Sequence, residues 1–335
     1  MTDADFPAGP SSRRRTLLLG ALAACALPCG ARAADYPERA VRLVVPWPAG
    51  GVTDLAGRAF AVQLGKQMNG NVVVENRPGA TGIVGTTAVA NSQADGYTLL
   101  LATAETHAIN PYTFEKLPYN PTEFIPIAAF ATNPYALVTR PDFPAQKTRE
   151  LVEFVKKQPG KFNYSSAGLG SASQIVMEMF KGAAGLHVVH VPYQGEAPAV
   201  AALFGGQTDM MILPLGRAAA LRESGKIKVY AVTPATRHPS LPDVPTMAEE
   251  GFSGLQIANW FSLMVPAGTP EPVVRRLAEA TGAAARDEET IKAMAKLGLG
   301  TFPSMTQQQF AAFIAKERER WRETVERVKI RAPQQ

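Results

Sequence analysis

The stretch Val45-Pro46-Trp47-Pro48-Ala49-Gly50-Gly51-Val52-Thr53-Asp54 decides how the rest of the chain is read. Before it, Val41 to Val45 is a short apolar, β-branched run, the pattern of a buried strand. After it, Leu55, Ala59, Phe60 and Leu64 fall on one stripe at helical spacing, with Gly65 and Gly70 as stops. The ten residues therefore read as a strand-to-helix turn. Pro46 and Pro48 hold it extended, Gly50 and Gly51 permit a close backbone approach, and Thr53 or Asp54 caps the helix. Unpaired N–H groups at such a helix start favour an anion and need no arginine.

Outward from this turn the pattern keeps alternating. Val72 to Glu75 reads as a strand, Asn76 to Gly79 as a turn, and Ala80 to Asn91 as a helix. Gly96 to Ala102 is the next strand and runs into the polar turn Thr103-Ala104-Glu105-Thr106-His107. Strand, helix and strand in series imply a parallel sheet with helices on both faces. Asn110 to Ile127, with four prolines, reads as a surface excursion. Tyr135 to Thr139 is a strand leaving this region, and Thr148 caps a helix that stops at Pro159-Gly160.

A second unit then repeats the opening layout: strand Phe162 to Ser165, small-residue turn Ser166 to Ser173, helix Gln174 to Lys181. Leu186 to Val191, Met210 to Leu213 and Lys228 to Thr233 are strands, and Pro198 to Gly205 a helix. The chain returns through a strand from Ile257 to Val265 that carries Trp260. It closes on a helix started by Thr306 and Gln309 in capping-box positions, apolar at Phe310, Phe313, Ile314, Trp321, Val325 and Val328. The expected fold class is α/β, with two α/β lobes around a ligand cleft: residues 34–138 plus 257–335 in one, 139–256 in the other.

The N-terminus reads as an address. Arg13-Arg14-Arg15, the apolar Thr16 to Leu27 and the small-x-small Ala31-Arg32-Ala33 form an export signal over residues 1–33, cleaved after Ala33. Ser12-Arg13-Arg14 resembles a twin-arginine signal, with Thr16 where Phe is usual. A competing reading takes Leu22-Ala23-Ala24-Cys25 as a lipoprotein box that leaves Cys25 acylated. Cleavage after Ala33 removes Cys25 and Cys29, and with them any disulfide, thiol nucleophile or thiolate metal site. It also takes four arginines and two aspartates from 34 basic and 29 acidic residues, so the mature charge is near +3 with no basic stripe, which argues against nucleic acid. The expected product is a monomer in the periplasm.

Two small-residue turns, Ala49 to Asp54 and Ser165 to Ser173, stand one on each lobe. Facing each other, they grip a small carboxylate with backbone amides, hydroxyls and two helix starts, at about 1.5–3 kcal/mol per hydrogen bond to a charged acceptor. Trp47 and Tyr193 either pack over the sheet ends or wall the cleft against water. Enzyme signatures are missing: Gly170-Ser171 lacks the glycine of a nucleophile elbow, Gly79, Gly82 and Gly85 lack dinucleotide spacing, and no Walker sequence occurs. His107, His187, His190 and His238 show no metal spacing, so no cofactor or metal is expected. His187 and His190 lie three apart on a strand, on opposite faces, and His190 reads as a structural group. Asp54 and Asp209 are conceivable as an acid/base pair, but capping and turn formation account for them more simply.

Several segments carry a family resemblance. They are Tyr36-Pro37, Val44 to Asp54, Val74 to Ala80, Asp95-Gly96-Tyr97-Thr98-Leu99, Ser165-Ser166-Ala167-Gly168 and His190 to Gly195, together with Arg237, Leu241 to Thr246 and Trp260. In this order they resemble the Bug family, the TctC-like extracytoplasmic receptors of tripartite tricarboxylate transporters. The resemblance implies a type II periplasmic-binding-protein fold, a small carboxylate ligand (dicarboxylate, tricarboxylate or amino-acid-like) and an inner-membrane tripartite tricarboxylate permease as partner. Carried over by position, it places Trp47, Ala49, Gly50, Gly51, Thr53 and Asp54 at the ligand, with Ala80, Thr81 and Gly82 in a second loop and Thr103, Ala104 and Glu105 in a third. The other lobe contributes Ser165, Ser166, Ala167, Gly168 and Ser171, with Tyr193 and Asp209. Two positions depart from the family: Ala49 stands where Pro precedes the Gly-Gly pair, and Gln174 where His is common. Glu105 suits a ligand carrying an amine or amide. Two other readings stand beside transport, a periplasmic sensor for a signalling partner and an exported enzyme using Asp54 or Asp209 as base.

Overall fold

The computed structural model describes residues 36–331, together with Thr2. The export signal, its cleavage site at Ala33 and the alternative acylation of Cys25 lie outside the described residues. Strands β1 (Val41–Val45), β2 (Val72–Asn76) and β3 (Thr98–Ala102) are parallel, with β1 between the other two. Helix α1 (Val52–Met68) follows β1, and α2 (Ile83–Ala90) follows β2 after a 3-10 turn at Ala80–Gly82. β1 is apolar because it is covered on both sides, as parallel strands are. α1 packs Ala56, Phe60, Ala61, Leu64 and Met68 on the sheet, and the Phe60 ring stacks on Phe130 at 4.0 Å. Gly65 does not stop α1. It lies within the helix because Gly70 O passes 2.9 Å from where its Cβ would be, and Asn69, left-handed at φ 53°, ends the helix.

After β3 come a π-turn at Glu105–Ile109 and the short α3 (Asn110–Thr113). The proline-rich segment beyond is less exposed than its sequence implies. Tyr119 and Phe124 are buried, and the Tyr119 hydroxyl donates to Thr106 O at 2.7 Å. Prolines deny this stretch ladder hydrogen bonds, not burial of its aromatic rings.

Strand β4 (Phe124–Thr139) joins the two halves of the molecule. Its first eleven residues, to Pro134, run antiparallel to β9 (Ala258–Pro266), and its remainder pairs with β7 (Met210–Pro214) and β8 (Lys228–Val232). The handover falls between Pro134, opposite Ala258, and Tyr135, opposite Pro214. The second half holds α4 (Thr148–Lys156), β5 (Asn163–Ser166), α5 (Ala172–Ala184), β6 (Val189–Pro192), α6 (Glu196–Phe204) and α7 (Leu215–Glu223). Here β5 lies between β6 and β7, all parallel, and the whole path reads β2-β1-β3-β9-β4-β7-β5-β6. Two expectations shift: Lys147, not Thr148, is the cap of α4, because the Thr148 hydroxyl donates to Tyr230 O, and His187 precedes β6 and does not lie on it.

Helices α8 (Glu271–Arg286), α9 (Glu288–Lys296) and α10 (Gln307–Val328), with the two-residue β10 (Gly300–Thr301) on β4, complete the fold. α10 begins with the Thr306/Gln309 capping box and buries Phe310, Ile314, Trp321 and Val325. Trp260 and Trp321 both donate to its buried Glu317, at 3.3 and 3.2 Å. No helix among the described residues is long and apolar enough to cross a membrane. The Phe60–Phe130 stack is the tightest aromatic contact under α1, so Phe60→Ala is expected to lower stability by about 3–5 kcal/mol in urea unfolding; a loss below about 1 kcal/mol contradicts its place in the core.

A candidate ligand cleft at four helix starts

The loop after β1 is held by one carboxylate. Asp54, 2% exposed, accepts the Gly50 N–H at 2.9 Å and Asn76 Nδ2 at 2.8 Å, and Arg58 Nε lies 3.0 Å away. Asn76 Nδ2 also donates to Trp47 O at 3.1 Å, so the end of β2 fixes the loop that follows β1. Burial opposes ionisation of Asp54, but the hydrogen bonds from Gly50, Asn76 and Arg58 outweigh it and hold the carboxyl below the usual range. Asp54 thus organises the loop from behind. The N-cap of α1 is Gly51, and it offers no side chain to the first N–H groups of the helix.

Three more helices begin nearby. α6 starts at Gly195 and α7 at Pro214, again without a side-chain cap, whereas α5 is capped by Ser171, which accepts the Gln174 N–H. Between these starts lies a cavity of about 120 Å³. Trp47, Ala49, Gly51, Val52 and Thr53 line one side of it; Ala167, Ser171, Ser173, Gln194, Glu196, Ala197 and Pro214 line the other. Its volume admits a molecule of a few heavy atoms, well below the roughly 300–1,000 Å³ that drug-sized ligands occupy. No lysine or arginine lines it. Amides at helix starts are its positive groups, an arrangement that favours a small anion.

The floor is the β4 handover. Asn133 and Tyr135 come from β4, Asn259 from β9 directly opposite Asn133, and Met211 and Ile212 from β7. Glu105 joins them and accepts from Asn259 Nδ2 at 2.7 Å, while Asn259 Oδ1 takes the N–H groups of Ala104 and Trp260. Burial pushes the Tyr135 hydroxyl up, aided by the Glu105 and Glu196 charges, so it stays protonated. Burial likewise raises the Glu196 carboxyl to about 7, partly offset by Arg217. Trp47 Nε1 and Asn133 Oδ1 are buried with no hydrogen-bond partner among the described residues.

A neighbouring hollow of about 360 Å³ shares Trp47, Pro48, Ala167 and Gln194 with the cavity, and Ala80, Thr81, Gly82, Gly168 and Tyr193 line it. Ala80 and Thr81 sit at φ 46° and 52°, left-handed values that a β-branched residue adopts only under constraint. The constraint is visible: Thr81 Oγ1 donates to Leu169 O at 2.8 Å, and Asn110 Nδ2 donates to Thr81 O at 3.1 Å. The turn after β2 is thereby tied to the turn after β5 across the mouth of the cleft.

Other expected positions serve as scaffold. The Gly50 N–H is taken by Asp54, and Ser165 Oγ donates to Ala199 O beneath α6. Thr103 and Ala104 are fully buried, their N–H groups bound to Thr106 Oγ1 and Asn259 Oδ1. Ser166 Oγ lies 2.6 Å from His190 Nε2, and Gln174 joins His190 Nδ1 at 3.1 Å while accepting the Gly170 N–H at 2.7 Å. Gln174, which replaces the family's usual histidine, therefore braces His190, and burial lowers that imidazole to about 4 and leaves it neutral. Asp209 corrects an expectation. It immediately precedes β7, level with the start of β5 and at the opposite end from the cleft, and accepts from the Asn163 N–H and Arg140 Nε. Asn133, Tyr135, Glu196 and Asn259 were not anticipated. Their one signal was a polar residue interrupting an apolar strand run, as at Asn133-Pro134 and Asn259-Trp260.

Two α/β lobes joined through β4, with helix starts converging on a small cavity, define a periplasmic binding protein. The chain belongs to the tripartite tricarboxylate transporter receptor family, whose model matches residues 56–330. It is similar to the protein BugT of Bordetella pertussis, 33% identical over 288 residues that cover 85% of this chain and 88% of BugT. Among solved structures it is similar to the periplasmic binding protein BugD (TM-score 0.83, 36% identity, 88% of this chain and 99% of that one). It is also similar to MatC of Rhodopseudomonas palustris with bound malate (TM-score 0.80, 32% identity, 87% and 100%).

Asp54→Asn is expected to weaken ligand binding about tenfold, near 1.4 kcal/mol, by calorimetry, with the fold retained by circular dichroism. Because the Asp54 carboxyl is held below its unfolded value, its stabilisation is present above the ordinary aspartate range and lost as pH falls through the folded value. The acid limb of the stability profile is therefore expected to be shallower in the Asn variant, and an unchanged limb argues against the clamp.

Proposed function

We propose that this chain is an exported receptor that captures a small carboxylate in the periplasm and presents it to an inner-membrane tripartite tricarboxylate permease. The observation that carries the reading is the set of uncapped helix starts, α1, α6 and α7, bordering one cavity of about 120 Å³. Each such end favours an anion by about 0.3–1 kcal/mol, up to about 2 where partly buried, and several in concert replace a charged side chain. The malate bound to MatC, a protein 32% identical, supports the same ligand chemistry. The signal over residues 1–33 supports export, with cleavage after Ala33 giving a soluble receptor. We place the second lobe between the β4 handover at Pro134 and Tyr135 and the return into β9, slightly wider than the residues 139–256 expected from the sequence.

An enzyme reading has little to work with. Asp54 is engaged by three donors, and Asp209 precedes β7 at the end of the strand away from the cleft. Ser166 is fully buried, and with Gln174 Nε2 donating to His190 Nδ1, the proton on Nε2 points at the serine instead of accepting from it. The receptor is expected to return its ligand chemically unchanged by mass spectrometry. Titration of the mature chain with two- to six-carbon carboxylates is expected to give saturable heat, and a saturating ligand to stabilise it by about 2.7 kcal/mol at a hundredfold excess over Kd. Silence across the panel, with nothing co-purified in native mass spectrometry, overturns the reading.

A further inference from the structure

The walls of the cavity are not alike. Helix starts supply N–H donors, but Glu105, Glu196 and Asn133 present oxygen acceptors to the same space. We propose that this acceptor wall receives a protonated amine, so that the ligand is an amino-acid-like zwitterion and not a simple di- or tricarboxylate. The proposal rests on the carboxylate reading above and specifies the rest of the molecule.

Three observations carry it. First, the two carboxylates come from separate parts of the chain, one after β3 and one opening α6, yet both line the same cavity as Tyr135. Second, Glu196 lines the cavity from the opening of α6, and the Arg217 charge that acts on it offsets its burial only in part. Third, Asn133 is 3% exposed, lines the cavity, and its Oδ1 has no partner there. A buried acceptor without a donor costs about 1–3 kcal/mol unless a ligand supplies one.

An ammonium brings three N–H donors and a positive charge, which matches two carboxylates and one amide oxygen. A second ligand carboxylate in that position meets like charges in a poorly solvated space. A metal ion fits less well, since no group of three His, Cys, Asp or Glu side chains suited to a metal occurs among the described residues. Glu105 is already oriented by Asn259 Nδ2, so half of the amine site is built before the ligand arrives.

The test compares matched pairs by calorimetry on the mature protein: aspartate with succinate, glutamate with glutarate, γ-aminobutyrate with butyrate, alanine with propionate. The aminated member is expected to bind at least about tenfold tighter, a difference of 1.4 kcal/mol, in each pair that binds at all. Glu105→Gln and Glu196→Gln are each expected to reduce that preference at least about tenfold. E105Q keeps an oxygen for Asn259, E196Q keeps the shape of a side chain whose charged neighbour is Arg217, and thermal unfolding checks that both fold. Equal or tighter binding of the amine-free members overturns the proposal while leaving the carboxylate reading intact. A preference for the amine that both variants retain overturns its assignment to this wall. Binding of neither member of any pair removes the carboxylate reading and this proposal with it.

Discussion

A helix that begins without a side-chain cap leaves backbone N–H groups in need of acceptors, and this fold brings three such beginnings to one small space. α1, α6 and α7 start there with glycine or proline at the N-cap, residues that supply no oxygen. Side-chain caps stand at α5, α9 and α10, and other helices such as α4 and α8 also start without one. What sets the cleft apart is that three uncapped starts converge on it. The distribution follows from topology: helices after parallel strands start at the C-terminal edge of the sheet, and the two half-sheets turn those edges toward each other.

Bringing the edges together depends on β4. One strand serves both half-sheets, and the exchange of partners from β9 to β7 occurs between Pro134 and Tyr135. Proline is tolerated there because Pro134 is the last β4 residue paired with β9, at the end of that ladder. The residues flanking the exchange, Asn133 and Tyr135, are two apart on one strand and so face the same side, into the cavity. The feature that joins the halves also furnishes the floor of the site. The same economy appears at Asp54, which is buried behind the loop that it holds and whose rigidity it transmits to Trp47, Ala49 and Gly51.

What was legible in the sequence divides along a physical line. Trp47, Gly51 and Thr53, and on the other side Ala167 and Ser171, lie in turns whose small residues and proximity to a helix start announce them locally, and they line the cavity. The alternation of strand and helix likewise gave the α/β layers and the parallel order of β1 to β3. Thr103 and Asp209 misled because a polar residue in a turn looks the same whether it faces a ligand or anchors a neighbouring strand; burial and partner choice separate the two. Asn133, Asn259 and Glu196 stayed hidden for the opposite reason. They come together only through contacts between distant parts of the chain, such as Asn133 opposite Asn259, and no local pattern encodes those. The family resemblance supplied what periodicity lacks, namely which turns face each other.

The absence of lysine and arginine from the cavity lining has a consequence for how such a site works. Buried cations would bind a carboxylate tightly but carry a desolvation cost of several kcal/mol per ion in the empty state. Backbone amides at helix starts are partial charges already fixed in place, so the empty cleft carries less of that cost and little reorganises on binding. Three ends contribute roughly 1–6 kcal/mol together, enough with enclosure to hold a small anion and modest enough to let it go. Selectivity then has to come from groups other than those that attract the ligand. Glu105 and Asn133 on the floor, and Glu196 at the opening of α6 itself, line the same space and repel or recruit whatever the carboxylate end brings with it.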